Sequence, residues 1–191
     1  MSRTWVFGYG SLVAPSSVAR TIDRMIDHPD ERVVTHLVGY GRRWNYGSQL
    51  LRGNWTIDGI SVREGVVVSL GLEESADERC NGVSILVDDD ELAALDTRES
   101  DYELTDISDQ VEVEPHAARL RGRVVTFVPR PGSVERYRHA RDERRAAVRA
   151  EYVTLVHAAF DALGADHRRL FDRTPDPDVP VTEIELIRRR P

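Results

Sequence analysis

The residues best placed to do chemistry near the start of the chain are Gly8, Tyr9, Gly10, Ser11 and Leu12, which close the apolar run Trp5-Val6-Phe7. A buried strand that opens into a tight glycine turn leaves backbone N–H groups free, and such a turn holds a negatively charged group. Two commoner glycine motifs do not fit. A dinucleotide fingerprint beginning at Gly8 needs glycine or alanine at position 13, where the chain has Val13, and no clear βαβ pattern follows. A Gly-x-Ser-x-Gly elbow also needs glycine at 13, so Ser11 is a poor hydrolase nucleophile. On spacing alone the stretch is a strand and a turn. The six histidines, His28, His36, His116, His139, His157 and His167, show no metal-ligand spacing and suit surface or capping positions. Cys80 has no activating signature beside it and reads as a small buried residue. Glu99 follows a helical stretch, where a glutamate is most often a solvated surface group.

The elements that must position these residues follow from periodicity. Pro15-Ser16-Ser17 offers capping residues, and Val18, Ile22, Met25 and Ile26 recur at helical spacing, so a short helix is predicted before Asp27-His28-Pro29-Asp30. Residues 33–46 alternate irregularly and predict a strand or bent hairpin. Residues 47–63 are polar and contain glycine, which predicts a long loop bordering a cleft. Strands are predicted at 66–72 and 82–87, separated by the charged stretch 73–79. Asp88-Asp89-Asp90 then caps a helix carrying Leu92 and Leu95, with Glu99 at or just past its C-terminal end. Residues 111–114 and 124–128 read as further strands, with 129–132 as a turn. The strongest helical pattern starts near Arg141 and aligns Val148, Tyr152, Leu155, Val156, Ala159, Phe160 and Leu163, with Gly164 beyond its end. A proline-rich linker over 175–180 precedes a last strand at 181–187. Strands with helices set between them, without regular alternation, make an α+β domain over residues 1–191.

The run Val6-Phe7-Gly8-Tyr9-Gly10-Ser11-Leu12 resembles the opening signature of the γ-glutamylcyclotransferase family, particularly its ChaC-like branch. Far downstream, Leu95-Asp96-Thr97-Arg98-Glu99 resembles the family segment that carries the catalytic glutamate. Lesser echoes occur at Gly39-Tyr40-Gly41-Arg42-Arg43-Trp44-Asn45, at Asn81-Gly82-Val83 and at Glu151-Tyr152. The resemblance implies a small mixed β-barrel surrounded by helices. It also implies that Glu99 is the general acid and base, that Tyr9, Gly10, Ser11 and Leu12 bind the glutamyl end of a small γ-glutamyl substrate, and that Tyr152 lines the pocket. No metal or other cofactor is implied. Two departures are visible: Tyr102 follows the glutamate by only three positions, and Phe127 stands where some members have a tyrosine. A binding module on the same fold, without turnover, is the alternative that these departures leave open.

Composition bounds the remaining readings. At 191 residues, 40% hydrophobic and 31% charged, the chain is long enough for one substantial core. A formal charge of −7 disfavours nucleic acid and anionic membranes as partners, although arginines cluster between Arg136 and Arg149. Glu135, Asp142 and Glu143 interleave with them, as on a solvated helix face. A single cysteine excludes an intrachain disulfide, and the sequence shows no signal peptide or membrane-spanning run, so a cytoplasmic location is expected.

Overall fold

The computed structural model describes residues 3–26, 28–113 and 120–188. Strand β1 (Arg3–Gly8) lies deep in the sheet: every residue after Arg3 is buried, as an apolar run covered on both faces requires. A 3₁₀ turn (Ser11–Val13) and helix α1 (Pro15–Ile22) follow. Asp23 ends α1 with φ 55°, four residues short of the predicted end.

Two long strands, β2 (Arg32–Ile57) and β3 (Ile60–Asp88), form the largest antiparallel pair. The predicted loop over 47–63 is therefore a hairpin, closed at Asp58-Gly59 with φ of 50° and 77°. Positive φ at both central positions is the turn that matches strand twist, and Asp-Gly is its usual pair. Likewise, the two strands predicted at 66–72 and 82–87 are one, because Glu73, Glu74 and Arg79 keep pairing with β2 on either side of an irregularity at residues 75–78. Register shifts after Val38, Arg43, Gly47 and Gly53 bend the pair.

Helix α2 (Asp89–Arg98) leads to β4 (Tyr102–Asp106), β5 (Val111–Val113) and β6 (Val124–Pro129). The predicted strand at 111–114 thus keeps Val111 to Val113, while Glu114 lies outside the described residues, as do His116 and Asp27. The helix predicted from Arg141 starts at the end of a helix that was not predicted, α3 (Pro131–Asp142), and its own span resolves into the short strand β7 (Ala146–Arg149) and α4 (Ala150–Leu163). Val148 is consequently a strand residue, buried among β-partners, while Val156, Ala159 and Phe160 form the buried face of α4. Proline at 131 starts α3 where a turn was expected, since its missing N–H is no loss in a first helical turn. Helix α5 (Ala165–Phe171), β8 (Val181–Thr182) and β9 (Glu185–Arg188) complete the chain.

The architecture is α+β. The main sheet runs β4-β6-β1-β3-β2-β5, with β7 joined to β3 and β8, and β9 to β2. Pairings of β1 with β6 and β3 with β7 are parallel; the other pairings along the main path are antiparallel. This mixed sheet is not closed: β4 and β5 end it on opposite edges, so the barrel implied by the family resemblance is here a bent open sheet. Its core joins Phe7, Leu37, Leu70, Ile85 and Phe127 from the strands to Leu95 and Phe160 from the helices.

Candidate active site

The glycine turn is shaped by close approach. A Cβ on Gly8 would meet the Cβ of Leu12 at 2.6 Å, so the chain folds back directly over the end of β1. Within the turn, the Val13 amide donates to the Gly10 carbonyl (3.0 Å) and the Ala14 amide to that of Ser11 (3.1 Å). The amides of Gly10, Ser11 and Leu12 precede these bonds and find no acceptor inside the turn, which is the usual condition of a helical first turn. Tyr152, on α4, reaches this backbone from the far side. A Cβ on Gly10 would lie 2.8 Å from its hydroxyl. Burial raises the Tyr152 phenol, against which the nearby amides of Leu70 and Ser11 pull it down.

Glu99 comes from α2, whose start is fixed by a reciprocal capping box: Asp88 accepts from the Glu91 amide (2.9 Å) and Glu91 accepts from the Asp88 amide (3.0 Å). Ten residues later the helix ends with Glu99 as its C-cap. Its amide still donates to Leu95 (2.9 Å), and its carbonyl accepts from Tyr102 (2.7 Å), which starts β4. The Glu99 side chain is only 16% exposed. Burial raises its pKa; the adjacent Arg98 guanidinium, 3.0 Å away, offsets part of that rise. A helix C-terminus is also an unfavourable place for a negative charge.

These parts converge. The turn contributes Tyr9, Gly10, Ser11 and Leu12, α2 contributes Glu99 and α4 contributes Tyr152, all to one small pocket that opens to solvent. The sheet adds Leu70, Tyr102 and Phe127 as its floor and wall. Tyr9 donates its hydroxyl to the Phe127 carbonyl (2.6 Å), and Tyr102 donates to the Leu70 carbonyl (3.0 Å) while stacking on Tyr46. Burial, with a contribution from the Glu99 charge, holds the phenols of Tyr9 and Tyr102 well above their ordinary range, so both are neutral donors. Among the described residues, no group of three or more His, Cys, Asp or Glu side chains could hold a metal ion.

A family model for ChaC-like proteins matches residues 4–154. The chain belongs to that family. The matched span takes in the glycine turn, Glu99 and Tyr152, and thus every side chain of the pocket. Among solved structures, the ChaC-like chain is similar to one titled gamma-glutamyl cyclotransferase, with a TM-score of 0.55 and 11% identity over 92% of this chain and 89% of that one. It is similar to the uncharacterized protein loc79017 from Homo sapiens, with a TM-score of 0.59 and 11% identity over 96% and 94%. YkqA from Bacillus subtilis gives a TM-score of 0.56 and 15% identity over 92% of this chain and 56% of YkqA. At such identities the likeness is one of fold. No curated protein sequence matches this ChaC-like chain.

Sequence reading did not assign Leu70 or Arg98 to the site, and it left Tyr102 and Phe127 without roles. Leu70 is one apolar residue in a long apolar strand and carries no signal of its own. Tyr102 follows from the structure of the helix end: a C-cap glutamate whose carbonyl receives the amide three residues on turns the chain at once into β4. The predicted surface role of the arginines between 136 and 149 also changes. Arg136 crosses to the Gly47 carbonyl (2.7 Å) and Asp101 (3.1 Å), and Arg141 reaches Asp178 (3.1 Å) as well as its helix neighbour Asp142 (2.9 Å).

Proposed function

We propose that this protein is a γ-glutamylcyclotransferase: it cyclises the γ-glutamyl group of a small peptide, amino acid or amine to 5-oxoproline and releases the attached amine. The observation that supports this most directly is the meeting, in one pocket, of a carboxyl group whose pKa burial raises and the glycine turn from Tyr9 to Leu12. In the reaction the substrate's α-amine attacks its own γ-carbonyl carbon. A C–N bond closes the five-membered ring, and the bond to the departing nitrogen breaks. The α-amine, with an ordinary pKa of about 8, is mostly protonated near neutral pH and must lose a proton before attack. Glu99 accepts a proton and returns it to the leaving nitrogen, so neither water nor an enzyme nucleophile enters the balance. Negative charge develops on the γ-carbonyl oxygen, where one backbone donor is worth about 3 kcal/mol. The amides from Gly10 to Leu12 are suited to that task and to gripping the glutamyl end.

The pocket opens to solvent, which lets the leaving group of a substrate held there extend through the mouth. Because ring closure is intramolecular, holding the substrate folded supplies much of the acceleration. The test is a panel of glutathione, γ-glutamyl amino acids and γ-glutamyl amines assayed for 5-oxoproline. At least one should turn over, and Glu99→Gln should lower kcat by a factor of about 100 or more, as loss of a general acid–base does. Full activity in that variant would refute the role of Glu99, while thermal stabilisation by a panel member without product would identify a binding module instead.

A further inference from the structure

We infer that Arg98 is a positioning residue that ties the acid–base carboxylate to the binding turn, so that the two halves of the site hold one another in place. This deepens the reading of the same pocket and rests on it. One guanidinium makes all the connections. Its Nε lies 3.0 Å from Glu99 Oε1; Nη2 donates to Ser11 Oγ (2.9 Å) and Ser17 Oγ (3.0 Å); Nη1 donates to the Ser17 carbonyl (2.8 Å) and Thr21 Oγ (3.0 Å). The contacts to Ser17 and Thr21 anchor it on α1, the helix that continues the glycine turn. A group fixed at five points by its planar fork cannot follow Glu99 freely; it sets where that carboxylate points.

The same arrangement fixes the sign of its electrostatic effect. Four tyrosines feel the Glu99 charge, namely Tyr9 from the turn, Tyr46 from β2, Tyr102 from β4 and Tyr152 from α4, and burial keeps each neutral by raising its phenol. Arg98 is the cation that lowers the Glu99 pKa against burial. Removing it leaves burial unopposed. The carboxyl group should then hold its proton to higher pH and lose its fixed direction, while Ser11 loses the donor that orients its hydroxyl.

The experiment compares wild type with Arg98→Met and Arg98→Lys. Glu99 is titrated without substrate by carboxyl carbon NMR, its signal assigned by its loss in Glu99→Gln. Arg98→Met should raise the Glu99 pKa by about 1 unit or more, since an opposite charge at this distance commonly shifts a carboxyl by 1 to 3. Arg98→Lys keeps the charge without the fork, so it should shift the titration less. On an active substrate, the acid limb of kcat/KM should move up with the titration, and KM in both variants should rise roughly tenfold or more through the slackened turn. An unchanged Glu99 titration in folded Arg98→Met, or unchanged KM in both variants, would overturn the inference. Because the titration needs no turnover, absence of 5-oxoproline would count against the proposed reaction and leave this test standing.

Discussion

Glu99 is a carboxyl group held where its ionisation is unfavourable, and this has a consequence for stability as well as for rate. Its folded pKa is raised, chiefly by burial and despite Arg98. The native state therefore binds the proton more tightly than the unfolded chain does, and stability falls as pH rises from the unfolded value near 4.5 through the folded one. Replacing it with neutral glutamine removes that loss. Glu99→Gln should thus melt above wild type at pH 7, by about 2–4 °C for each kcal/mol relieved in a chain of this size. The gain should shrink toward pH 4, where both proteins carry a neutral group at position 99. Melting curves of the two proteins from pH 4 to 8 read this directly; a constant difference across that range would mean that burial does not strain the carboxylate. Glu99 and the turn at Tyr9 to Leu12 were legible in the sequence as short motifs. Arg98 was not, although it stands inside one of them, because its partners Ser17 and Ser11 are 81 and 87 residues away.

At the scale of elements, position depends on where helices begin. The capping box of Asp88 and Glu91 sets the first residue of α2, and its length then delivers Glu99 to the pocket as the C-cap. Glu91 is held a second time by Arg24, from the segment after α1, which also bonds Glu31 (3.0 Å) and so ties the helix start to the loop before β2. Asp88→Ala should cost about 1 kcal/mol in urea unfolding, within the range for N-caps. Its 5-oxoproline rate should fall by less than that of Glu99→Gln, since it is the packing of Leu95 that retains the helix. A loss beyond about 2 kcal/mol would show that the box supports more than a helix end. This start was readable from Asp88-Asp89-Asp90. The hairpin of β2 and β3 was not, because its glycines imitate a loop. Gly65 instead lies against the ring of Trp55, Gly53 against Ile184, and a Cβ on Gly47 would meet the Tyr137 amide nitrogen at 2.7 Å. Each marks a close approach on a strand, a role that local sequence does not distinguish from a turn. Strand β7 was lost for a related reason: its short apolar run merges with the spacing of α4 when read as a single period, while α3 lies almost wholly before the predicted start near Arg141 and buries only Ser133, Tyr137 and Ala140.

Across the whole molecule, one buried cation draws the parts of the site toward a common centre. Arg42 on β2 is 4% exposed, and no carboxylate among the described residues pairs with it. Its Nε donates to the Tyr9 carbonyl (2.8 Å), Nη2 to the Asn81 carbonyl on β3, and Nη1 to Thr174 Oγ (3.1 Å) beyond α5. Its guanidinium carbon lies 4.9 Å from the ring centres of Phe160 on α4 and Phe171 on α5. Burial lowers the Arg42 pKa, and the charge is retained by carbonyl dipoles and aromatic faces rather than by a counterion. The bond to Tyr9 has a further effect. Carbonyl and amide point in opposite directions across a trans peptide, so fixing the Tyr9 carbonyl on Arg42 fixes the Gly10 amide on the other side. Arg42→Met keeps most of the volume but leaves the Tyr9 and Asn81 carbonyls without their donor inside the protein. At about 1–3 kcal/mol for each abandoned buried group, it should lose about 3 kcal/mol or more in urea unfolding. Arg42→Lys keeps the charge but presents it as a single point, so it should recover only part of that loss. Both should lose 5-oxoproline formation at temperatures where they remain folded, because the turn is no longer aimed. A methionine variant within about 1 kcal/mol of wild type would mean that these carbonyls find water or each other and that Arg42 does not organise the turn.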